Sequence, residues 1–186
     1  MNSKKKMNRS IKNSKILIVG GAGFVGSNLC EYIIKNYDPN YIIIVDNLLS
    51  SNASNILKDK KIKFIFGSIT DEKILSQIPN DIEYVFNLAC YHGNQSSIKN
   101  PIDDHRNNLL PNLILYDYIK NFNYLKAVIY SAAGCAVASK TYSSAKATLE
   151  DDNIDLFQDS PYSISKLVGE LYGNYYFKQF NLPFIK

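Results

Sequence analysis

The chain has 186 residues, 46% of them hydrophobic, and a formal charge of +4, which suits one domain with a substantial buried core. The positive excess falls largely in residues 1–14, where Lys4, Lys5, Lys6, Arg9 and Lys12 stand among Asn and Ser, so these residues read as a solvated tail rather than one that touches nucleic acid or anionic lipid, the remainder is nearly balanced, and no basic nucleic-acid surface is implied. Apolar runs at 16–19, 41–45 and 127–130 are too short to span a bilayer, the start lacks the apolar core of a secretory signal, and Cys30, Cys90 and Cys135 have neither zinc spacing nor the even count of a disulfide framework. The expectation is a soluble, cytoplasmic protein with reduced thiols, with residues 1–14 as a disordered basic tail ahead of a domain over 15–186.

The first element is a strand over 15–20, an unbroken Lys-Ile-Leu-Ile-Val run of the kind buried on both faces of a parallel sheet. It enters Gly20-Gly21-Ala22-Gly23-Phe24-Val25-Gly26, followed by a helix over 24–36 with Phe24, Val25, Leu29, Tyr32 and Ile33 as its apolar residues. Glycines in that context let the backbone approach a pyrophosphate, and the amides and dipole of the following helix favour negative charge. A second strand over 41–46 closes on Asp46, twenty positions beyond Gly26. A carboxylate there accepts hydrogen bonds from the adenosine ribose and repels a 2′-phosphate, which favours NAD over NADP; the plainer reading is that Asp46 begins a turn with Asn47.

Further strands are predicted at 62–66, 83–88 and 126–131, with short helices near 52–58 and 71–77 and long ones at 104–122 and 161–180. That alternation means a doubly wound parallel sheet with helices on both faces. Ligands in such sheets sit beyond the carboxyl ends of the strands. The positions to watch are therefore Gly20 to Gly26, Asp46 with Asn47, Ser68 with Ile69, Ala89 to Ser97, and Ser131 to Cys135. A sixth strand begins at Pro183-Phe184-Ile185, and the sequence stops at Lys186, so the expectation is a fragment or truncated form.

Ser160-Pro161 reads as a helix start, with Ser160 as cap and Pro161 in the first turn. It sets Tyr162 and Lys166 four residues apart on one face. A nearby ammonium and an oxidised nicotinamide would lower a tyrosine pKa from its usual ~10, making a base for a sugar hydroxyl. The spacing is common: Tyr116/Lys120 and Tyr142/Lys146 share it. The first reads as a solvated pair on a helix whose other face is Leu113, Leu115 and Ile119; the second lies in a polar stretch without a capped start. Tyr162/Lys166 itself could be a plain surface pair.

Together, Gly-Gly-Ala-Gly-Phe-Val-Gly at 20–26, Val-Asp-Asn-Leu at 45–48, Val-Phe-Asn-Leu-Ala at 85–89 and Pro-Tyr-Ser-Ile-Ser-Lys-Leu-Val-Gly-Glu at 161–170 resemble the extended short-chain dehydrogenase/reductases, in particular the NAD-dependent nucleotide-sugar epimerases and dehydratases. The resemblance covers residues 15 to 186. It implies a Rossmann-type fold and a held NAD, reduced and reoxidised within one turnover, acting on a nucleotide-diphosphate sugar. Tyr162 would be the base and Lys166 would hold the nicotinamide ribose. Gly20, Gly23, Phe24, Val25 and Gly26 match the pyrophosphate turn, Asp46 and Asn47 the ribose contacts, and Ser68 and Ile69 the usual Asp-Ile beside the adenine. Leu88 and Ala89 match the wall over the cofactor, and Asn108 resembles an asparagine of a long family helix.

Two departures stand out. Where the family carries a Ser or Thr that bonds the reacting sugar oxygen, the matching position in Ser131-Ala132-Ala133-Gly134-Cys135 is Ala133, leaving Ser131 or a shifted Cys135 to substitute. The family also seats its sugar nucleotide against a C-terminal portion that is absent from this sequence, which implies impaired turnover. His92, Asn94, Gln95 and Ser96 are either substrate contacts or a polar loop. The rival functional readings are a catalytically inactive NAD-binding module and a simple NAD-dependent reductase. Aromatic residues on the helices at 104–122 and 161–180 (Tyr116, Tyr118, Phe122, Tyr172, Tyr175, Tyr176, Phe177, Phe180) exceed what one sheet face needs and, as in similar family members, imply a homodimer.

Overall fold

The computed structural model describes residues 10–91, 93–136, 149 and 156–186. Six parallel strands, β1 (Lys15–Val19), β2 (Tyr41–Asp46), β3 (Ile62–Phe66), β4 (Tyr84–Asn87), β5 (Ala127–Tyr130) and β6 (Phe184–Ile185), form one sheet in the order β3-β2-β1-β4-β5-β6. The reversal of direction beside β1 opens a crevice at the carboxyl ends of β1 and β4. Side chains alternate between the faces of a strand, and here both faces are apolar. Leu17, Val19, Ile43, Val45, Val85 and Val128 meet Leu115, Tyr116, Ile119 and Tyr176 on one side; Ile16, Ile18, Ile42, Ile44 and Ala127 meet Cys30 and Ile33 on the other.

Helix α1 (Phe24–Tyr37) buries Gly26, Cys30 and Ile33, while Phe24, Val25 and Tyr32 face outward. The apolar face thus runs one position off the predicted one, because Gly26 has to lie against the turn after β1. The predicted helix at 52–58 shrinks to a single tight turn at Ala53–Asn55, where the Asn52 side chain accepts the Ser54 N–H at 2.9 Å. The next, α2 (Glu72–Leu75), is one turn capped by Asp71. Residues at 94–99, read from sequence as loop, form α3 (Asn94–Lys99).

The helix expected over 104–122 starts earlier, as α4 (Pro101–Asp104), widens through a π turn at His105–Leu109, and resumes as α5 (Leu110–Ile119). Pro111 explains the widening: it has no N–H to give to the preceding turn, and its ring would collide with a regular α-helix there. Tyr116, expected on the solvated face, is fully buried, with Tyr130, Tyr176 and Phe184 edge-on around it at 5.6–6.4 Å between ring centroids; Lys120 pairs with Asp117 instead. Part of the aromatic surplus is therefore core, and Tyr175, Phe177 and Phe180 are the members that stay outside.

The last helix, α6 (Pro161–Phe180), spans the predicted residues, with Ser160 accepting the Ser163 N–H at 3.2 Å as its cap. It reaches the sheet through two glycines: a Cβ on Gly169 would lie 2.4 Å from the Tyr130 hydroxyl, and one on Gly173 2.1 Å from the Phe184 ring. At the other end, order begins before Lys15. Ile11 packs against the cluster that holds Cys30 and Ile33, and Ser14 is buried; the first nine residues of the tail expected over 1–14 lie outside the described part. So do His92, Tyr142 and Lys146. Among the described residues no helix is long and apolar enough to cross a membrane.

Candidate functional site

The turn after β1 is set by close backbone contact. Gly20 has φ +79°, and a Cβ there would lie 2.7 Å from the Cα and N of Ala89, on the turn after β4. A Cβ on Gly26 would lie 2.4 Å from the Gly20 carbonyl, so α1 descends onto the same turn. Gly23 caps α1 with no side-chain hydrogen bond, and the first turn holds no acidic residue. The first amides of α1 thus open, with the positive end of its dipole, into a cleft of about 260 Å³.

Gly20, Gly23, Phe24, Val25, Gly26, Asp46, Asn47, Ser68, Ile69, Leu88 and Ala89, all named from sequence, line that cleft. Asp46 is nearly buried. Its Oδ2 accepts the Ala22 N–H at 2.9 Å, and its Oδ1 accepts from Leu48 N–H at 2.9 Å and Ser51 Oγ at 2.8 Å. Two donors fill Oδ1, so Oδ2 keeps the lone pair open to a further hydroxyl, and Ser51 must yield before Asp46 can grip two. Asp46 thus closes the turn with its neighbours through the same carboxylate that lines the cleft. Ser68 Oγ is engaged with Thr70, by its hydroxyl at 2.8 Å and its N–H at 3.2 Å.

Asn108 stands apart from the cleft. Its carboxamide accepts the Tyr91 N–H at 2.7 Å and donates to the Tyr91 carbonyl at 2.9 Å and to Asp104 at 2.6 Å. It therefore fixes the chain after β4, while its neighbour Asn107 lines the cleft. Sequence reasoning missed Asp104, fully buried and accepting from Ser165 Oγ at 2.5 Å; an acid four residues before Asn108 is the one signal that points to it. Ser97, the last residue of the stretch Ala89 to Ser97, accepts the Tyr162 N–H through its Oγ at 3.1 Å.

Tyr162 and Lys166 meet where the cleft ends. Lys166 is buried, donates to the Ser131 carbonyl at 2.9 Å, and lies 5.0 Å from the Tyr130 ring centroid and 5.8 Å from that of Tyr162. Ser131 contributes its carbonyl, whereas its hydroxyl donates to the Asn87 carbonyl at 3.3 Å. Cys90 lines the cleft, and its thiol donates to the Tyr162 hydroxyl at 3.8 Å. An open hollow beside it is lined by Gly93, Asn94, Gln95, Ser96, Cys135 and Tyr162, so three of the loop residues named from sequence, with Cys135, do come together.

Burial pushes the Tyr162 phenol above its ordinary value, and Cys90, Cys135 and Asp104 add to the rise. Burial also lowers Lys166, against the opposing pull of Cys90, Cys135 and Asp104. Cofactor fit is good on the structure's own terms: a turn that any Cβ would obstruct, uncapped helix amides and a buried carboxylate suit a pyrophosphate and a ribose.

A family model described as the NAD dependent epimerase/dehydratase family matches residues 16–186. The chain is 35% identical over 188 residues to the dTDP-D-glucose 4,6-dehydratase of Dictyostelium discoideum, covering 92% of this chain and 42% of that protein. Its structure is similar to that of the Bordetella bronchiseptica enzyme WbmF in complex with NAD+ and UDP (TM-score 0.82, 43% identity, 94% of this chain and 48% of the other). It is also similar to that of the epimerase Mth375 from Methanothermobacter thermautotrophicus (TM-score 0.84, 35% identity, 94% and 51%). The chain thus spans about half the length of these relatives.

Burial of Tyr116, Tyr130 and Tyr162 raises all three phenols. Above the ordinary tyrosine value of ~10 the unfolded chain has released protons that the folded chain keeps, so their contribution to stability is whole below that pH and is lost as pH rises. Lys166, lowered, works in the opposite sense but is a single group. Urea midpoints should therefore fall steadily as pH rises beyond about 10; a flat profile would contradict the burial of these hydroxyls.

Proposed function

The chain belongs to the NAD-dependent epimerase/dehydratase family, and from that premise we propose that it binds NAD in the cleft beyond β1 and β4 and that its activity is epimerisation or dehydration of a nucleoside-diphosphate sugar. The observation that carries this is the meeting of the two sites at Tyr162: its hydroxyl bonds the cleft-lining Cys90 and its ring walls the hollow that holds Asn94, Gln95 and Ser96. The dehydratase and the NAD- and UDP-bound enzyme among its relatives support the substrate class.

NAD when bound would supply a hydride acceptor and, oxidised, a positive charge beside the phenol. The pyrophosphate falls to the amides of α1 and the glycine turn, and the adenosine ribose to Asp46. Tyr162 Oη accepts the proton of a sugar hydroxyl. For that the phenol has to be drawn down from its raised value, and Lys166, held by the Ser131 carbonyl, supplies one of the positive charges that do so. The hollow's amides and hydroxyls orient the sugar, with Cys135 at its wall. A cytoplasmic setting fits three cysteines outside any disulfide.

A second reading, an NAD-binding module without catalysis, is favoured by the Ser131 hydroxyl being spent on Asn87 and by Ala133 having none to offer. Single-turnover reduction of bound NAD by UDP- or dTDP-glucose separates the two. Under the enzyme reading Tyr162→Phe slows it by about 10²–10⁴-fold, the usual worth of a general base. Equal rates in both proteins would remove Tyr162 from the chemistry, and tight NAD binding with no reduction in either would favour the module.

We further propose a homodimer through α5 and α6, where Leu171, Tyr175 and Phe177 are each half or more exposed and large apolar side chains gain from cover. Sedimentation should give twice the chain mass at micromolar concentration; a monomer throughout would refute it.

A further inference from the structure

Helix α3 faces two ways. Asn94, Gln95 and Ser96 line the hollow beside Tyr162, while Ser97 turns inward and is 3% exposed. Ser97 Oγ donates to the Asn94 carbonyl at 2.7 Å and accepts the backbone N–H of Tyr162 at 3.1 Å. The Asn94 side-chain oxygen in turn accepts from Ser160 Oγ at 3.1 Å, the same hydroxyl that caps α6 through the Ser163 N–H.

The first amides of a helix have no partner within it. Ser160 provides for one of them from the chain itself, and Ser97 provides for the Tyr162 amide from a different helix. The start of α6 is therefore fastened to the element that carries the hollow's polar side chains, at the residue whose phenol does the proposed chemistry.

We propose that Ser97 is a positioning residue: by accepting the Tyr162 N–H it clamps the start of α6 to α3, so that a sugar nucleotide touching α3 in the hollow also sets the placement of the Tyr162 phenol. This rests on the proposed function for the identity of the ligand, and on the hydrogen bonds alone for the clamp. The groups facing the phenol are Cys90 from the chain after β4, Cys135 from the chain after β5, Tyr130 on β5, Asp104 on α4 and Lys166 on α6 itself, with burial outweighing them all. Releasing the clamp lets water reach the phenol, and its titration falls toward the ordinary tyrosine range.

The test uses the whole chain without cofactor. Amide exchange is followed by NMR in the wild type and in Ser97→Ala, and the ultraviolet titration of each is differenced against the same protein carrying Tyr162→Phe, which isolates one phenol among 14 tyrosines. In Ser97→Ala, exchange at the Tyr162 amide should rise about five- to tenfold, the worth of one lost hydrogen bond. The Ser163 amide, still held by Ser160, should stay protected, and the Tyr162 midpoint should move down. Ser97→Thr, which keeps the hydroxyl, should retain both wild-type values. Ser97→Cys, of similar size but with a weak acceptor, should repeat the alanine result, so an alanine variant that fails to fold does not decide the matter. Unchanged exchange and midpoint in the alanine and cysteine variants, or a rise shared by every amide of α6, would overturn the proposal. Neither readout involves NAD or sugar, so a wild type that fails to bind NAD contradicts the proposed function while the Ser97 clamp still stands or falls on its own result.

Discussion

Two backbone turns lie against each other at Gly20 and Ala89, with no room between them for a β-carbon. Much else follows from that approach. It closes the sheet's carboxyl edge at the point where strand order reverses, it draws the start of α1 onto the same spot through Gly26, and it leaves the helix amides facing open space. A side chain at position 20 would need both a left-handed backbone and space already filled by Ala89, so the cleft and the turn are a single constraint.

The second part of the site is held by polar groups buried behind it. Asn87 donates to Asn112 at 2.7 Å, Asn112 donates to the Asn108 carbonyl at 2.6 Å, and Asn108 grips both polar atoms of the Tyr91 backbone. Asp104 joins this set to Ser165, next to Lys166. A buried network of this kind strengthens its members and is costly to break, which keeps β4, the π turn and α6 in a fixed relation. Gly169 completes the arrangement by admitting the Tyr130 hydroxyl close to α6, and Lys166 then lies over the Tyr130 ring with its ammonium on the Ser131 carbonyl.

Chain-local features are legible in the sequence because their causes are local. An unbroken apolar run makes a doubly buried strand, three glycines make a turn, and Ser160-Pro161 makes a helix start; β1, β2, the glycine turn and α6 follow from them directly. What the sequence conceals depends on tertiary context. Tyr116 looks solvated by its spacing to Lys120 but is surrounded by rings from β5, α6 and β6. Ser131 looks like a free hydroxyl at a strand end but bonds the neighbouring strand. Asn108, matched by resemblance to an asparagine of a long helix, gives no sign in the sequence that it clasps the backbone of Tyr91. The direction of the Tyr162 shift is hidden because a sequence names charges without showing how much water is lost around them.

The most direct measurement is a crystal structure of the chain grown with NAD. The account predicts the pyrophosphate on the first amides of α1, the adenosine ribose on Asp46, and the nicotinamide ribose within hydrogen-bond reach of Lys166 and Tyr162. A dinucleotide bound elsewhere, or one seated in the glycine turn with its nicotinamide directed away from Tyr162, would contradict it.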